Sequence, residues 1–190
     1  VFSDALAAAR ALHGLNKGIV AIIGTGVNSA LYNGESLIYS TPSLGYILGD
    51  EGSGCYLGKE LIRQWQYGEL SQEVAGRLSQ FVDNISLAEI LQRVYGNNSE
   101  RFLSQLVPFI IEQIDSPCIS ELVDNAFNLF VKRHLSKLPN FSTIPVGVVG
   151  SVGYHLQLNL ECAIKAHGGE MGKVLQYPID ELIQYHIKHQ

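Results

Sequence analysis

The front of this chain contains an apolar run that stops abruptly at glycines. Residues 18–23 (GIVAII) are apolar or small, and Gly24-Thr25-Gly26 follows them at once. A short apolar run bounded by glycine is typical of a buried strand. Two further strand-like segments flank Asn33-Gly34, which is a strong signal for a two-residue hairpin turn. The chain is therefore predicted to fold around a sheet with three strands near its beginning.

Helices and two later strands are predicted around these strands. Ser3 or Asp4 can cap a first helix that Gly14 ends, and a second helix is predicted to begin near Asp50 and to run to about Tyr67. Because this order alternates strands with helices, it predicts an α/β fold with a mixed sheet and a helical insert over approximately residues 60–140. The later predicted segments are helices over residues 71–138, a strand over 145–149, a helix near 154–167, a strand over 173–177 and a helix over 179–189.

Composition excludes several classes of protein. The chain has 190 residues, of which 46% are hydrophobic and 16% charged, as expected for one globular domain. The net charge of -5 and the scattered distribution of 13 Lys and Arg residues argue against a nucleic-acid or anionic-membrane partner. No apolar run approaches the roughly 20 residues of a membrane-spanning helix. We therefore predict a cytoplasmic protein.

Metal-site signatures are missing from the sequence. Cys55, Cys118 and Cys162 are far apart and lack the spacing of a zinc or redox site, so we interpret them as free thiols in a reducing cytosol. The six His residues include no paired metal-binding motif. The residues themselves therefore predict no protein-bound metal.

Two glycine-rich turns are candidates for binding a nucleotide. At Gly24-Thr25-Gly26 the backbone could lie against phosphate and Thr25 adds a hydroxyl, although such a corner is also common in hairpins. At Gly150-Ser151-Val152-Gly153 a strand passes through a glycine turn into a helix, where backbone N–H groups and the helix dipole favour phosphate. This second turn lacks the Lys of a P-loop and the third glycine of a dinucleotide fingerprint.

Three polar side chains near predicted turns are further candidates. Asp50 lies in the segment LGDEGSG and is predicted to cap the following helix by accepting from the N–H of Gly52 or Ser53. The density of glycines there also suggests that a ligand comes close, in which case Asp50 could accept from a substrate hydroxyl. Asn28 reads as a turn residue or a ligand contact, and Asp4 as a helix cap or a catalytic carboxylate.

Four segments in order resemble the BadF/BadG/BcrA/BcrD-type ATPase family, and within it the N-acetylglucosamine kinase branch. The resemblance implies the actin/hexokinase/Hsp70 fold, in which two RNase H-like α/β domains close on ATP and Mg²⁺. Because the chain lacks an initiator Met and the D-G-G-x-T phosphate loop of the first domain, it would be the carboxy-terminal domain over residues 1–190, and inactive in isolation. The segments are SDALAAAR at 3–10, IIGTGVNS at 22–29, LGDEGSG at 48–54 and VVGSVG at 148–153.

The resemblance also implies roles for individual residues. Asp4 matches the general base that acts on the sugar hydroxyl. The turn at Gly24, Thr25 and Gly26 matches the second phosphate motif, and the turn at Gly150, Ser151, Val152 and Gly153 matches the adenosine motif. Asn28, Asp50 and Gly45 would contact the sugar. N-acetylglucosamine kinases carry Gly-Trp-Gly where this chain has Ser43-Leu44-Gly45, so the aromatic residue beside the sugar is missing.

The expected function is ATP-dependent phosphoryl transfer to a sugar hydroxyl, with an amino sugar such as N-acetylglucosamine as substrate. Two alternatives stay open. One is an ATPase that activates a radical dehydratase, although the three cysteines do not lie in the motifs of that branch. The other is a non-catalytic module that senses a sugar or a nucleotide. The family commonly forms homodimers. Each of these functions that uses a nucleotide requires the two glycine turns to meet at one cleft.

Overall fold

The computed structural model describes residues 4–188, which form a mixed five-stranded sheet surrounded by helices. The strand order is β3-β2-β1-β4-β5. β1 pairs antiparallel with β2 and parallel with β4, so the sheet is mixed, as predicted. β2 pairs antiparallel with β3, and β4 pairs parallel with β5. The strands are β1 (Gly18–Ile23), β2 (Val27–Tyr32), β3 (Leu37–Ser40), β4 (Val146–Val149) and β5 (Met171–Leu175).

Most of the helices lie between β3 and β4. The predicted helical insert is present there, and it ends with a short 3₁₀ turn at Leu135–Lys137. Within the described residues, no helix is both long and apolar enough to cross a membrane. The helices are α1 (Asp4–His13), α2 (Gly45–Leu48), α3 (Gly54–Gln66), α4 (Gln72–Phe81), α5 (Leu87–Val94), α6 (Ser99–Ser104), α7 (Val107–Glu112), α8 (Pro117–Arg133), α9 (Ser151–His155), α10 (Gln157–Ala166) and α11 (Ile179–Lys188).

Both faces of the sheet are covered, which explains the uninterrupted apolar run of β1. Side chains alternate between the two faces of a strand. Ile19, Ala21 and Ile23 point into the larger core, which they share with the helices of the insert and with α10. Val20 points to the opposite face and packs in a smaller core beneath α1. A strand buried on both faces has no polar face to show in its sequence.

α1 runs antiparallel to β1, so that the beginning of α1 lies near the ends of β1 and β4. His13, in its last turn, places Nε2 2.9 Å from the carbonyl oxygen of Ile19, near the start of β1. Leu6, near the other end of α1, packs in the same small core as Ile22, near the end of β1. Asp4 therefore lies toward the edge of the sheet at which β1 and β4 end.

The hairpin after β2 is present, but its turn is longer than predicted. β2 ends at Tyr32 and β3 begins at Leu37, so four residues connect them instead of two. Asn33 uses its side-chain oxygen to accept from the backbone N–H groups of Glu35 at 2.9 Å and Ser36 at 2.8 Å. The Asn side chain thus organises a wider loop in place of a two-residue turn.

Candidate functional site

The two glycine turns meet where the central parallel strands end. Gly24 follows β1 and Gly150 follows its neighbour β4. Gly150 has φ 124°, and a Cβ added to it would collide with the carbonyl oxygen of Ile23 and lie 3.2 Å from the backbone nitrogen of Gly24. Only glycine combines this conformation with such a close approach. The structure therefore brings together the turns at 24–26 and 150–153 at one edge of the sheet, as the resemblance predicts.

A cavity of about 500 Å³ opens beside these turns. This volume lies within the range of small-molecule sites. Gly24, Thr25, Ser151 and Val152 form part of its wall. The helical insert supplies the facing wall, through Ser104, Val107, Pro108, Ile111 and Glu112. The insert thus completes a cavity that the sheet edge alone would leave open.

The first glycine turn is fastened to the start of α3 through its carbonyl groups. Gly54 N donates to Gly24 O at 2.8 Å, and Cys55 N donates to Thr25 O at 3.1 Å. Gly24 N donates to Gly26 O at 3.0 Å. Among the residues that the structure describes, the N–H groups of Thr25 and Gly26 have no hydrogen-bond acceptor. Neighbouring N–H groups of this kind can bind an anion.

Gly24 and Gly153 have different physical reasons to be glycine. Nothing lies within 4 Å of the position that a Cβ on Gly24 would occupy, so the backbone there is open to a ligand. A Cβ on Gly153 would lie 2.6 Å from Cγ1 of Val148 and 3.3 Å from Cβ of Ile23. Gly153 is therefore needed for α9 to pack on the sheet, whatever its part in binding.

Asp50 does not cap the following helix, and the prediction that it does so is wrong. The cap of α3 is Ser53, whose side chain accepts from Tyr56 N at 3.0 Å. Asp50 has φ 55° and Gly52 has φ 81°, so the chain makes a turn before the helix begins at Gly54. Asp50 contributes to this turn through its backbone oxygen, which accepts from Ser53 N at 3.0 Å.

The carboxylate of Asp50 is buried beside the first glycine turn without a full set of partners. The residue is 7% exposed. Its Oδ2 would lie 3.0 Å from a Cβ on Gly26, and its Oδ1 has no hydrogen-bond partner among the described residues. Burial raises the pKa of this carboxyl above its ordinary value. A buried carboxylate oxygen without a partner is costly, and a ligand hydroxyl would satisfy it.

Two glycines near Asp50 are required for packing within the protein, and one of them, Gly54, also lines the cavity, so the expectation that a ligand comes close stays a prediction. A Cβ on Gly52 would lie 3.1 Å from the ring of Phe127 and 3.2 Å from Cβ of Phe130, both on α8. A Cβ on Gly54 would lie 3.1 Å from Cγ2 of Val107. The turn is glycine-rich because helices of the insert pack directly against its backbone.

Beside Asp50, the buried side chains of Glu51, His134, Thr41 and Ser29 form a series of hydrogen bonds, the buried polar chain, which the sequence does not predict. Glu51 is 3% exposed and forms an ion pair with Arg133 and a hydrogen bond of 3.0 Å with Nε2 of His134. Nδ1 of His134 lies 3.3 Å from Oγ1 of Thr41, which lies 2.6 Å from Oγ of Ser29. The partners lie far apart along the chain, so no local pattern could reveal them. The sequence shows only a glutamate in a glycine-rich turn and a histidine at the end of an apolar helix, and neither residue by itself indicates that the two are paired.

Electrostatics keep Glu51 ionised in spite of its burial. Burial by itself would raise the pKa of the carboxyl. The hydrogen bond from His134, a backbone N–H and the neighbouring Arg133 together outweigh this effect, so the pKa of Glu51 is lowered. Glu51 is thus a buried negative charge that is fully partnered, unlike its neighbour Asp50.

The remaining predicted residues lie around the same edge. Asn28 is half-buried on β2 opposite Ile22, and its side chain makes no hydrogen bond with another described residue. Gly45 begins α2 with φ 70°, and its carbonyl oxygen accepts from the N–H of Gly49, the residue before Asp50. Asp4 is exposed at the start of α1, where its Oδ1 accepts from the backbone N–H of Ala5 at 2.8 Å.

Cysteine and metal sites do not add to this arrangement in the part of the chain that is described. Cys55, at the start of α3, is buried, and its Sγ donates to the carbonyl oxygen of Glu100 at 3.3 Å. Burial raises the pKa of this thiol to about 11, so it stays protonated near neutral pH. Over residues 4–188, no group of three or more His, Cys, Asp or Glu side chains is placed to hold a metal ion.

Two solved structures resemble this chain over almost its whole length. One is from Porphyromonas gingivalis and is described as a "Putative N-acetylglucosamine Kinase"; it is 39% identical, with a TM-score of 0.93 over 97% of this chain and 65% of that one. The other, from Chromobacterium violaceum and described in the same words, is 19% identical, with a TM-score of 0.70 over 96% of this chain and 64% of that one. No family model and no curated protein matches the chain.

These comparisons bear mainly on the fold. The second structure, at its low identity, shows the fold alone. The first adds sequence similarity to the match, but the present chain spans 65% of its length. The α/β fold with a mixed sheet is thus shared with structures described as kinases.

Proposed function

We propose that this chain is the carboxy-terminal portion of an ATP-dependent sugar kinase in the N-acetylglucosamine kinase branch of the BadF/BadG/BcrA/BcrD-type ATPases. One observation carries the proposal: two glycine turns, one from each half of the chain, meet at a single cavity of about 500 Å³. The 39% identity to the Porphyromonas gingivalis structure supports the same branch. Such an enzyme would work in the cytoplasm, and a homodimer is proposed from the family.

The residues around the cavity fit ATP. The free N–H groups of Thr25 and Gly26, together with the Thr25 hydroxyl, would donate to phosphate oxygens, and the open backbone at Gly24 lets them approach. Val107 and Ile111 offer an apolar surface for the base, opposite Ser151. ATP, when bound, supplies the phosphoryl group that is transferred.

Mg²⁺ is proposed to accompany ATP without a dedicated cage in this part of the chain. The described residues offer no cluster of three or more metal-ligating side chains. In phosphoryl transfer, Mg²⁺ is usually held by phosphates, waters and only one or two carboxylates. We therefore assign no metal ligand to a residue of this chain.

The sugar is proposed to lie beyond the first glycine turn. Asp50 would accept from a sugar hydroxyl through its unpartnered Oδ1, which satisfies a buried charge that the protein leaves open. Asn28, opposite Ile22 near the end of β1, has a side-chain amide with no hydrogen bond to another described residue and would contribute a second polar contact. Gly45 would allow the backbone before Asp50 to approach the ring. The missing tryptophan leaves the substituent at the sugar nitrogen undetermined.

Asp4 is proposed as the general base. The sugar hydroxyl attacks the terminal phosphorus of ATP, its proton passes to the Asp4 carboxylate, and ADP leaves. Asp4 is exposed and lies toward the edge of the sheet that holds the glycine turns, which supports this role. A positioned base of this kind contributes about 10²- to 10⁴-fold in rate. Asp4 should therefore matter for turnover more than for binding.

The test measures ADP release by the complete protein with a panel of amino sugars. We expect saturable turnover with at least one sugar. Asp4→Asn should lower kcat by about 10²- to 10⁴-fold while the affinity for the sugar, measured by calorimetry, changes little.

Three results would contradict the proposal. Binding of ATP and sugar without product would identify a non-catalytic module. An iron-containing, coloured protein would favour the activator of a radical dehydratase. Full turnover in Asp4→Asn would remove Asp4 from the mechanism.

A further inference from the structure

We propose that His134 is a positioning residue for the sugar site: through one buried chain of hydrogen bonds it holds both the turn that carries Asp50 and the strand that carries Asn28. The inference rests on the proposed sugar kinase function. His134 follows α8, at the end of the helical insert, and is 7% exposed. Its ring connects elements that are distant in sequence.

The hydrogen bonds of the buried polar chain end at the two residues that directly follow the proposed sugar-binding residues Asp50 and Asn28. On one side, Nε2 of His134 lies 3.0 Å from Oε2 of Glu51, the residue directly after Asp50. On the other side, Nδ1 lies 3.3 Å from Oγ1 of Thr41, and Thr41 lies 2.6 Å from Oγ of Ser29, the residue directly after Asn28. All four of these residues are buried, so water does not compete for the bonds.

The charge of Glu51 fixes the direction of the hydrogen bond between Glu51 and His134. The pKa of Glu51 is lowered, so its carboxylate is ionised and can only accept. Nε2 of His134 therefore donates to Glu51. In the neutral ring Nδ1 then accepts from the Thr41 hydroxyl, and Thr41 accepts from the Ser29 hydroxyl. With the ring neutral, every donor in the buried polar chain has one acceptor, so one arrangement of these hydrogen bonds is favoured.

The turn at Asp50 requires such support. Asp50 has φ 55°, a conformation that costs free energy for a residue other than glycine, and its buried Oδ1 has no hydrogen-bond partner within residues 4–188. Both features favour relaxation of the turn toward solvent. Glu51, held by His134 and Arg133, is the adjacent anchor that opposes this movement. Losing the anchor should therefore displace the carboxylate of Asp50, although neither Glu51 nor His134 lines the nucleotide cavity.

The decisive variant is His134→Phe in the complete protein. The His134 ring stacks on Phe130 with centroids 5.3 Å apart, and a phenyl ring keeps this packing while removing both hydrogen bonds. We expect the KM for the sugar to rise by about tenfold or more, and sugar affinity in calorimetry to fall in parallel. The KM for ATP should change less than the KM for the sugar, because none of the four hydrogen-bonded residues lines the nucleotide cavity.

Two controls separate positioning from a general loss of stability. His134→Gln keeps an N–H donor for Glu51 and should restore sugar KM to within about threefold of the wild-type value. Asn159→Ala removes another hydrogen bond to α8, the 2.8 Å contact with Asp124, and should lower the melting temperature without changing sugar KM. If His134→Phe does not fold, Thr41→Val removes one hydroxyl at similar volume and should raise sugar KM in the same selective way.

The outcomes distinguish this inference from the proposed function. If the wild-type protein neither binds nor phosphorylates any sugar, the proposed function fails and the inference fails with it. If the wild-type protein is active but His134→Phe and Thr41→Val change the KM for sugar and ATP equally, or change only stability as Asn159→Ala does, His134 is structural and only the inference fails.

Discussion

At the scale of single residues, neighbouring carboxylates in this protein have opposite environments. Glu51 is buried with Arg133 and His134 as partners, and its pKa is lowered. Asp50, directly before it, is buried with an oxygen that no other described residue partners, and its pKa is raised. A protein keeps an unfavourable buried charge mainly where a ligand uses it. The contrast within one dipeptide therefore favours a binding role for Asp50 and a supporting role for Glu51.

Asp50→Asn should stabilise the free protein while weakening sugar binding. The amide removes the unpartnered charge, and Asn tolerates the left-handed conformation at φ 55°. We expect the free energy of unfolding to rise by about 0.5–2 kcal/mol, in the range of other substitutions that relieve a strained site. Urea denaturation would measure this change and calorimetry with the sugar would measure the binding. A loss of stability together with unchanged sugar affinity would show that Asp50 serves the fold.

At the scale of elements, the sequence predicts the sheet better than it predicts the turns. β1 covers the residues expected of it, 18–23, because a run buried on both faces leaves a plain apolar signal. The predicted helix near 154–167 is two helices, α9 and α10, with Leu156 between them. Apolar spacing does not mark that break, because Leu156 is buried in the same core as Val152 and Leu160, four residues before and after it, as in one continuous helix.

The candidate site was predictable where its residues are local and not where they pair over long distances. The glycines at 24 and 150 are recognisable because each directly follows an apolar run. The cap at Ser53 was missed because Asp50 is an equally good capping residue, and the choice depends on φ 81° at Gly52 and its packing against Phe127. The partnership of Glu51 with His134 depends on tertiary packing alone.

The two glycine turns should respond differently to a methyl group. Gly24→Ala adds a Cβ with nothing within 4 Å, so stability should change by less than about 1 kcal/mol, whereas ATP affinity should fall because the backbone no longer lies open to phosphate. Gly150→Ala places a Cβ against the backbone of Ile23, in a residue whose φ of 124° disfavours any side chain. This substitution should destabilise the protein by about 2 kcal/mol or more. Thermal melts with and without ATP would separate these effects. Unchanged ATP affinity in Gly24→Ala would place the phosphates elsewhere.

At the scale of the whole molecule, the buried polar chain joins the sheet to the helical insert. Ser29 lies on β2, Thr41 follows β3, and His134 follows α8, so the same bonds connect the sheet, the turn at Glu51 and the insert. The stability of this connection depends on the ionised state of Glu51. Acid should therefore weaken the connection between the sheet and the helical insert.

Stability should fall as the pH drops below the ordinary glutamate value of 4.5. The folded pKa of Glu51 is lowered, so in this range the unfolded chain binds a proton that the folded chain does not. The contribution of Glu51 is complete above its ordinary pKa and is lost as the pH falls through the lowered one. Asp50 acts in the opposite direction, since its raised pKa means that acid relieves a penalty.

Denaturation between pH 7 and pH 3 would measure this dependence. Glu51→Gln should flatten the acid limb of the profile, and Asp50→Asn should steepen it, because each variant removes one of two opposing contributions. Identical profiles for the wild type and Glu51→Gln would mean that other carboxylates control acid stability.

β1 pairs with β4 in parallel, although the entire helical insert lies between these two strands in the sequence. Pairing of strands that are far apart in the sequence comes late in folding. The entropic cost of closing the long connection arises before the contacts between the strands can offset it. The cleft between the two glycine turns therefore cannot exist in a nascent or truncated chain that lacks β4. A nucleotide site that uses both turns would therefore form only after residues 146–153 have been synthesised and have joined the sheet.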